Sequence, residues 1–256
     1  MISRATIAPV MVLAAAATLV ACTSPRQQAI NRQARAATEF LERQGSIGDP
    51  GRVAAADFAF ARMARDEGQW TAFRAYAAGD AVMDAPDGFA PVSEVLDGLA
   101  DPAEPIRWAP TDVWSSCDGT LAVSLGRFIR PNGLVGDYVT VWELQSDNSY
   151  KWIYDTGTPD DPQPVPDPGE DLPEDAIVVE GMTSIEGRIA DCQPAVGHSA
   201  LPLAITGNAT RASTSADSSL TWQSSLQDDG ARHMRAFYLR NGAWEQVVDL
   251  TIPGDE

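Results

Sequence analysis

Apolar residues change their spacing near Pro102: before it they recur at helical intervals, and after Pro105 they mostly alternate with polar ones. The first spacing belongs to helices with one buried stripe, the second to half-buried strands. Asp49-Pro50 reads as an N-cap followed by a first-turn proline. Val53, Phe60, Met63 and Ala64 form the stripe, and Gly68 stands where a glycine would end the helix. Trp70, Phe73 and Tyr76 mark a second, shorter helix that Gly79 would end. After a short segment at 81–83 and a turn at Pro86-Asp87-Gly88, residues 92–99 predict a third helix. Strands are expected at 106–114, 121–129, 134–145 and 150–156. Three helices followed by a four-stranded meander make an α+β pattern.

The last hairpin of the meander carries its own register. With Asn148 left-handed in a three-residue loop, Gln145 faces Ser149, Glu143 lies opposite Lys151, Trp142 opposite Trp152 and Val139 opposite Asp155. Opposite charges and paired aromatics favour this alignment by roughly 0.2–1 kcal/mol each. Alternation then places Tyr138, Thr140, Trp142 and Trp152 on one face. Val139, Val141, Ile153 and Asp155 fall on the other, the face assigned to the helices. On this reading Tyr138 and Asp155 do not form a pair.

Both flanks differ from this middle part. From Pro159 to Pro173 there are six prolines and no basic residue, so 159–175 reads as an extended, semi-rigid linker. Residues 176–256 predict a small all-β unit. Arg240-Asn241-Gly242-Ala243 is its strongest hairpin signal, setting Leu239 opposite Trp244, and Asp229-Gly230 turns between 220–226 and 232–239. Glycine and proline interrupt every period between Ile185 and Ile205. At the other end, an apolar run from Ile7 closes on Leu19-Val20-Ala21-Cys22, and Pro25 follows too soon for a spanning helix. The tetrapeptide resembles the lipobox of bacterial lipoproteins. That implies a signal peptide at 1–21, a lipid on Cys22 and, with Thr23 in place of Asp, an outer-membrane location facing the periplasm. Residues 22–48, with Ile30, Ala34, Ala37 and Leu41 at helical spacing, would be the tether.

Charge narrows the partners. With 36 acidic against 18 basic residues the net charge is −18, which repels a phosphate backbone and argues against nucleic acid. Cys117 and Cys192 either pair, in a compartment where disulfides persist, or remain two buried thiols. Neither they nor His198 and His233 show zinc-ligand spacing, and no phosphate-binding glycine loop occurs, so no metal and no cofactor is expected.

Four stretches carry a family resemblance. Met63-Ala64-Arg65-Asp66-Glu67-Gly68-Gln69-Trp70-Thr71-Ala72-Phe73, Asp80-Ala81-Val82-Met83, Asp137-Tyr138-Val139-Thr140-Val141-Trp142 and Trp152-Ile153-Tyr154-Asp155-Thr156-Gly157 resemble the SnoaL-like branch of the nuclear transport factor 2 superfamily. The resemblance covers 49–158 and implies an α+β, cystatin-like cone of helices on a curved antiparallel sheet, with a pocket at the open end and, in many relatives, dimerisation through the sheet. Enzymes of this shape commonly pair an Asp with a His or Tyr in the pocket. No histidine precedes His198, which leaves Asp155 as the best candidate base, helped by Asp84, Asp57 or Tyr76. Trp70, Phe73, Tyr76, Trp142 and Trp152 either line the pocket or fill the core. The preferred expectation is an envelope lipoprotein that binds a small apolar ligand or a protein partner without catalysis. A lyase or isomerase of small hydrophobic substrates and a structural envelope component are the alternatives.

Overall fold

The computed structural model describes residues 47–164, 184–192 and 209–254. The lipobox with Cys22, the tether, most of the proline-rich linker and His198 lie outside them.

Asp49 accepts hydrogen bonds from the amides of Gly51 and Arg52 and so caps helix α1 (Pro50–Asp66), satisfying first-turn donors that have no partner within the helix. Its buried face is Val53, Ala54, Asp57, Phe60, Ala61 and Ala64. Gly68, at φ +124°, turns the chain into α2 (Gln69–Tyr76). Asp101 accepts from the amides of Trp70 and Thr71 at 2.5 and 3.0 Å at the start of that helix. Strands β1 (Ala77–Ala85) and β2 (Gly88–Pro91) come next, then α3 (Val92–Val95), which is a single turn. The meander is β3 (Arg107–Ser115), β4 (Leu121–Ile129), β5 (Val135–Leu144) and β6 (Tyr150–Pro159); β7 (Glu186–Ile189) follows the linker. These strands form one sheet in the order β2-β1-β6-β5-β4-β3-β7. Its neighbours are antiparallel except β1 with β6 and β3 with β7. A second, antiparallel sheet runs β11-β10-β9-β8, from β8 (Ala209–Thr214), β9 (Leu220–Leu226), β10 (Arg232–Arg240) and β11 (Ala243–Ile252).

This corrects the α+β, cystatin-like cone expected from the sequence. Of the described residues half are strand and 17% helical, in two sheets with three helices, so the described fold is mostly β and is not built around a cone of helices. The helical signal was over-read in two places. Gly79 ends no helix: α2 stops at Tyr76, and Gly79 lies inside β1. The third helix closes after one turn, ahead of Gly98 at φ +66°.

The helices cover one face of the first sheet through an aromatic core. Phe60 sits at its centre, 4.8 Å from the rings of Phe73 and Trp108 and 5.2 Å from Tyr76. The other face meets the second sheet, where Tyr154 stacks on Trp222 at 5.1 Å and its hydroxyl lies 2.9 Å from Ser224 Oγ.

The turns that join the two sheets are alike. Ser116-Cys117-Asp118-Gly119-Thr120-Leu121 links β3 to β4, and Ser215-Ala216-Asp217-Ser218-Ser219-Leu220 links β8 to β9. In each, the aspartate Oδ1 accepts from the serine hydroxyl two residues earlier at 2.7 Å and from the hydroxyl two residues later at 2.8 Å. Gly119 and Ser218 both take positive φ. The loops also exchange bonds: Asp118 N donates to Asp217 Oδ2 and Asp217 N to Asp118 Oδ2, both at 2.9 Å. That reciprocity is a local two-fold relation between two copies of one turn. Asp118→Ala and Asp217→Ala are each expected to cost about 2 kcal/mol, because each leaves several donors without an acceptor. Urea denaturation of the double variant should show less than the sum of the two losses, since the sites share partners.

Strand β7 joins both layers. It runs parallel to β3, Asp191 N donates to Leu239 O of β10 at 2.9 Å, and a Cys117–Cys192 disulfide anchors its end to the turn.

Candidate functional site

A cavity of about 280 Å³ opens between the helices and the first sheet. Phe60, Trp70, Phe73, Trp108 and Phe128 give it an apolar wall, and Asp84, Tyr138 and Asp155 bring the polar groups. Glycine makes room at its end. A Cβ on Gly136 would stand 2.6 Å from the Phe128 ring, and one on Gly126 would stand 2.6 Å from the Tyr138 ring.

Asp155 reaches this cavity because of a bulge. The hairpin pairs Glu143 with Lys151 and Trp142 with Trp152, as the turn at Asn148 dictates, but the next pair is Val141 with Tyr154. Ile153 is the extra residue. A one-residue slip turns the following side chains to the opposite face. Asp155 therefore pairs with Thr140, not Val139, and Thr140 Oγ1 donates to Asp155 Oδ1 at 2.5 Å. Tyr138, Thr140 and Asp155 thus share the cavity face, where strict alternation had set Tyr138 and Asp155 apart.

Burial pushes the Asp155 carboxyl up to about 7, against the Thr140 hydrogen bond and with help from the charges of Asp57 and Asp84. No cation acts as its partner among the described residues. Such a group exchanges its proton near neutral pH.

Asp57 of α1 has a different environment. Fully buried, it accepts from Trp108 Nε1 at 2.9 Å, Ser124 Oγ at 2.7 Å and Tyr138 OH at 3.1 Å. Ser124 in turn accepts from Trp142 Nε1 at 2.9 Å. Burial raises the Asp57 carboxyl to about 6 although all three donors pull it down. Burial, with the adjacent Asp57 charge, also holds the Tyr138 phenol well above its ordinary value. The phenol is thus a neutral donor beside the cavity.

Asp84, on β1, is held by three groups. Tyr154 OH and Thr156 Oγ1 donate to it at 2.9 and 2.8 Å, and Arg232 Nε of the second sheet lies 3.1 Å away. Burial still raises its carboxyl above the usual range. The Arg232 guanidinium also donates to Ala85 O, so the second sheet fixes the strand that carries Asp84.

Of the residues singled out from sequence, Trp70, Phe73, Asp84 and Asp155 line the cavity. Tyr76 does not; it stacks on Phe60 in the core. Trp142 and Trp152 are fully buried, Trp152 donating to Phe73 O at 3.2 Å. Sequence reasoning missed Tyr138, Thr140, Trp108 and Phe128. For Tyr138 and Thr140 the signal was the Trp152-Ile153-Tyr154 run of three apolar residues, which breaks alternation where the bulge lies. Among the described residues no three His, Cys, Asp or Glu side chains stand together as a metal-binding group.

No protein-family model matches the chain, and no curated protein matches it in sequence.

Proposed function

We propose that this chain is an envelope lipoprotein, held at the outer membrane through a lipid on Cys22, whose cavity binds a small, largely apolar ligand. The observation that carries the ligand reading is the aromatic cavity with Asp155 at its wall, a carboxylate near neutrality with a single hydrogen-bond donor. Pockets of this kind combine apolar lining with a few placed polar groups. Asp155 would take a hydroxyl or amine of the ligand. The Leu19-Val20-Ala21-Cys22 box supports the anchor, and the disulfide suits an oxidising compartment. Coverage of the outer sheet face by Trp222 and its neighbours favours a ligand role over one that relies on a dimer or protein partner docking there.

Native mass spectrometry of the chain isolated from its own envelope tests this. A stoichiometric small molecule is expected, and Asp155→Leu should reduce its occupancy at least tenfold, the loss of one charge-assisted hydrogen bond. A clean protein mass, with no cavity-lining resonance moved by a set of small apolar compounds, would overturn it.

A second reading is a lyase or isomerase in which Asp155 abstracts a proton and the Tyr138 phenol donates. It is favoured by their shared face and by the Asp155 value of about 7. Undiminished turnover of the identified ligand in Asp155→Asn would exclude it.

A further inference from the structure

A basic depression adjoins the aromatic cavity of an otherwise acidic protein, the two sharing Arg130. Arg65 of α1, Arg107 of β3 and Arg130 just beyond β4 line a depression of about 390 Å³, and Arg130 also belongs to the wall of the aromatic cavity. All three are exposed. Acidic side chains outnumber basic ones 36 to 18, and Arg127, Arg188, Arg211, Arg232 and Arg240 each pair with at least one. Arg65, Arg107 and Arg130 have no carboxylate partner among the described residues. Arg65 touches only Ala61 O of its own helix, at 3.4 Å, and Arg130 lies over the Phe128 ring at 5.6 Å. Glu104 is the one acid on the wall of the depression and forms no ion pair with them.

Guanidinium groups present planar forks of donors that match a carboxylate or phosphate. Three left unneutralised around one concavity make a local positive potential that the net charge of the chain does not cancel at short range. We infer that this depression receives the anionic head of the ligand whose apolar body occupies the aromatic cavity, so that the ligand class is a small amphipathic carboxylate or phosphate. The inference rests on the small-molecule reading of the cavity and adds a direction to it: the anion lies outward against the arginines, the apolar body inward towards Asp155. The reverse orientation would bring the anion against Asp84 and Asp155.

The test is an NMR titration of the full chain with hexanoate, hexyl phosphate and 1-hexanol, which share one apolar body. Both anions are expected to bind at least about tenfold more tightly than the alcohol, as one charge-assisted contact implies. Raised salt should narrow the gap. In a variant carrying Arg65→Gln and Arg107→Gln, which line the depression but not the aromatic cavity, the anions should lose most of their preference over the alcohol, with alcohol binding unchanged. Equal binding of all three by the unaltered chain, or an anion preference that survives in the double variant, would overturn the arginine assignment while leaving the cavity reading in place. No binding by any of the three would overturn both.

Discussion

Asp155→Asn is expected to make the protein more stable at about pH 8, by roughly 3–4 kcal/mol, and to leave it unchanged near pH 4. Asp155 has its folded value raised from 3.8 to about 7. Between those values the native state holds a proton that the unfolded chain has released, so the unfolding free energy falls as pH rises through this window. Above it the native state carries the cost of a desolvated carboxylate with one hydrogen-bond donor and no cation beside it. Asparagine keeps an oxygen for the Thr140 hydroxyl and cannot ionise, so it removes the cost without removing the contact. Asp57, raised to about 6, contributes with the same sign. The lowered carboxyls of Asp101, Asp147 and Asp160 have the opposite sign, but they sit at the surface, where solvent screens them, and act only towards the acid end. Urea denaturation of both proteins across this range checks the prediction; equal stabilities at about pH 8 would mean that Asp155 titrates as an ordinary carboxylate. A stabilising substitution in a cavity wall is the behaviour of a site kept for function at some expense of stability.

Removing the disulfide with Cys117→Ser and Cys192→Ser together should cost about 4 kcal/mol, the chain-entropy value for a closed loop of this size. The bond spans 75 residues. The cost has a structural side as well. Cys192 ends the segment whose β7 strand pairs with β3 and whose Asp191 amide bonds to β10, and Cys117 lies in the turn whose amide donates to Ser219 Oγ at 2.8 Å. Without the bond, that short strand is held to the sheets by a few hydrogen bonds alone. Denaturation midpoints with and without reductant, compared with the double variant, measure the effect. A loss under about 1 kcal/mol would show that the unfolded chain is already compact across this loop.

The dependence of the site on its surroundings explains how much of it sequence could disclose. Asp155 and Asp84 stand out as acids in apolar strands, and Trp70 and Phe73 as aromatics on one helical face; all four line the cavity. Tyr138 was set aside because the register on both sides of it was read as regular. The register near the turn was right, with Asn148 at φ 63° and Trp142 opposite Trp152. The bulge at Ile153 lies beyond the reach of turn geometry and is favoured by what each side must pack against: Trp152 and Asp155 towards the helices, Tyr154 towards Trp222. The guanidinium of Arg232 reaches Asp84 from 148 positions along the chain, a contact that no local pattern encodes. The likeness of the Ser-x-Asp turns at 116–121 and 215–220, and the exchange of hydrogen bonds between them, came to light only in the structure.

What the sequence determined by itself was local: the Asp49-Pro50 start of α1, the Asn241-Gly242 hairpin that sets Leu239 opposite Trp244, and the spans of β4 and β9. Each follows from steric and hydrogen-bonding preferences within a few residues. Tertiary structure decided the balance of the fold and the chemistry of the cavity. Chain segments far apart in sequence had to meet before β7 could pair in parallel with β3, before α3 was limited to one turn, and before Asp155 faced Tyr138. Because side chains alternate along a strand, one unpaired residue, selected by packing on both faces of a sheet, was enough to move the candidate base into the site.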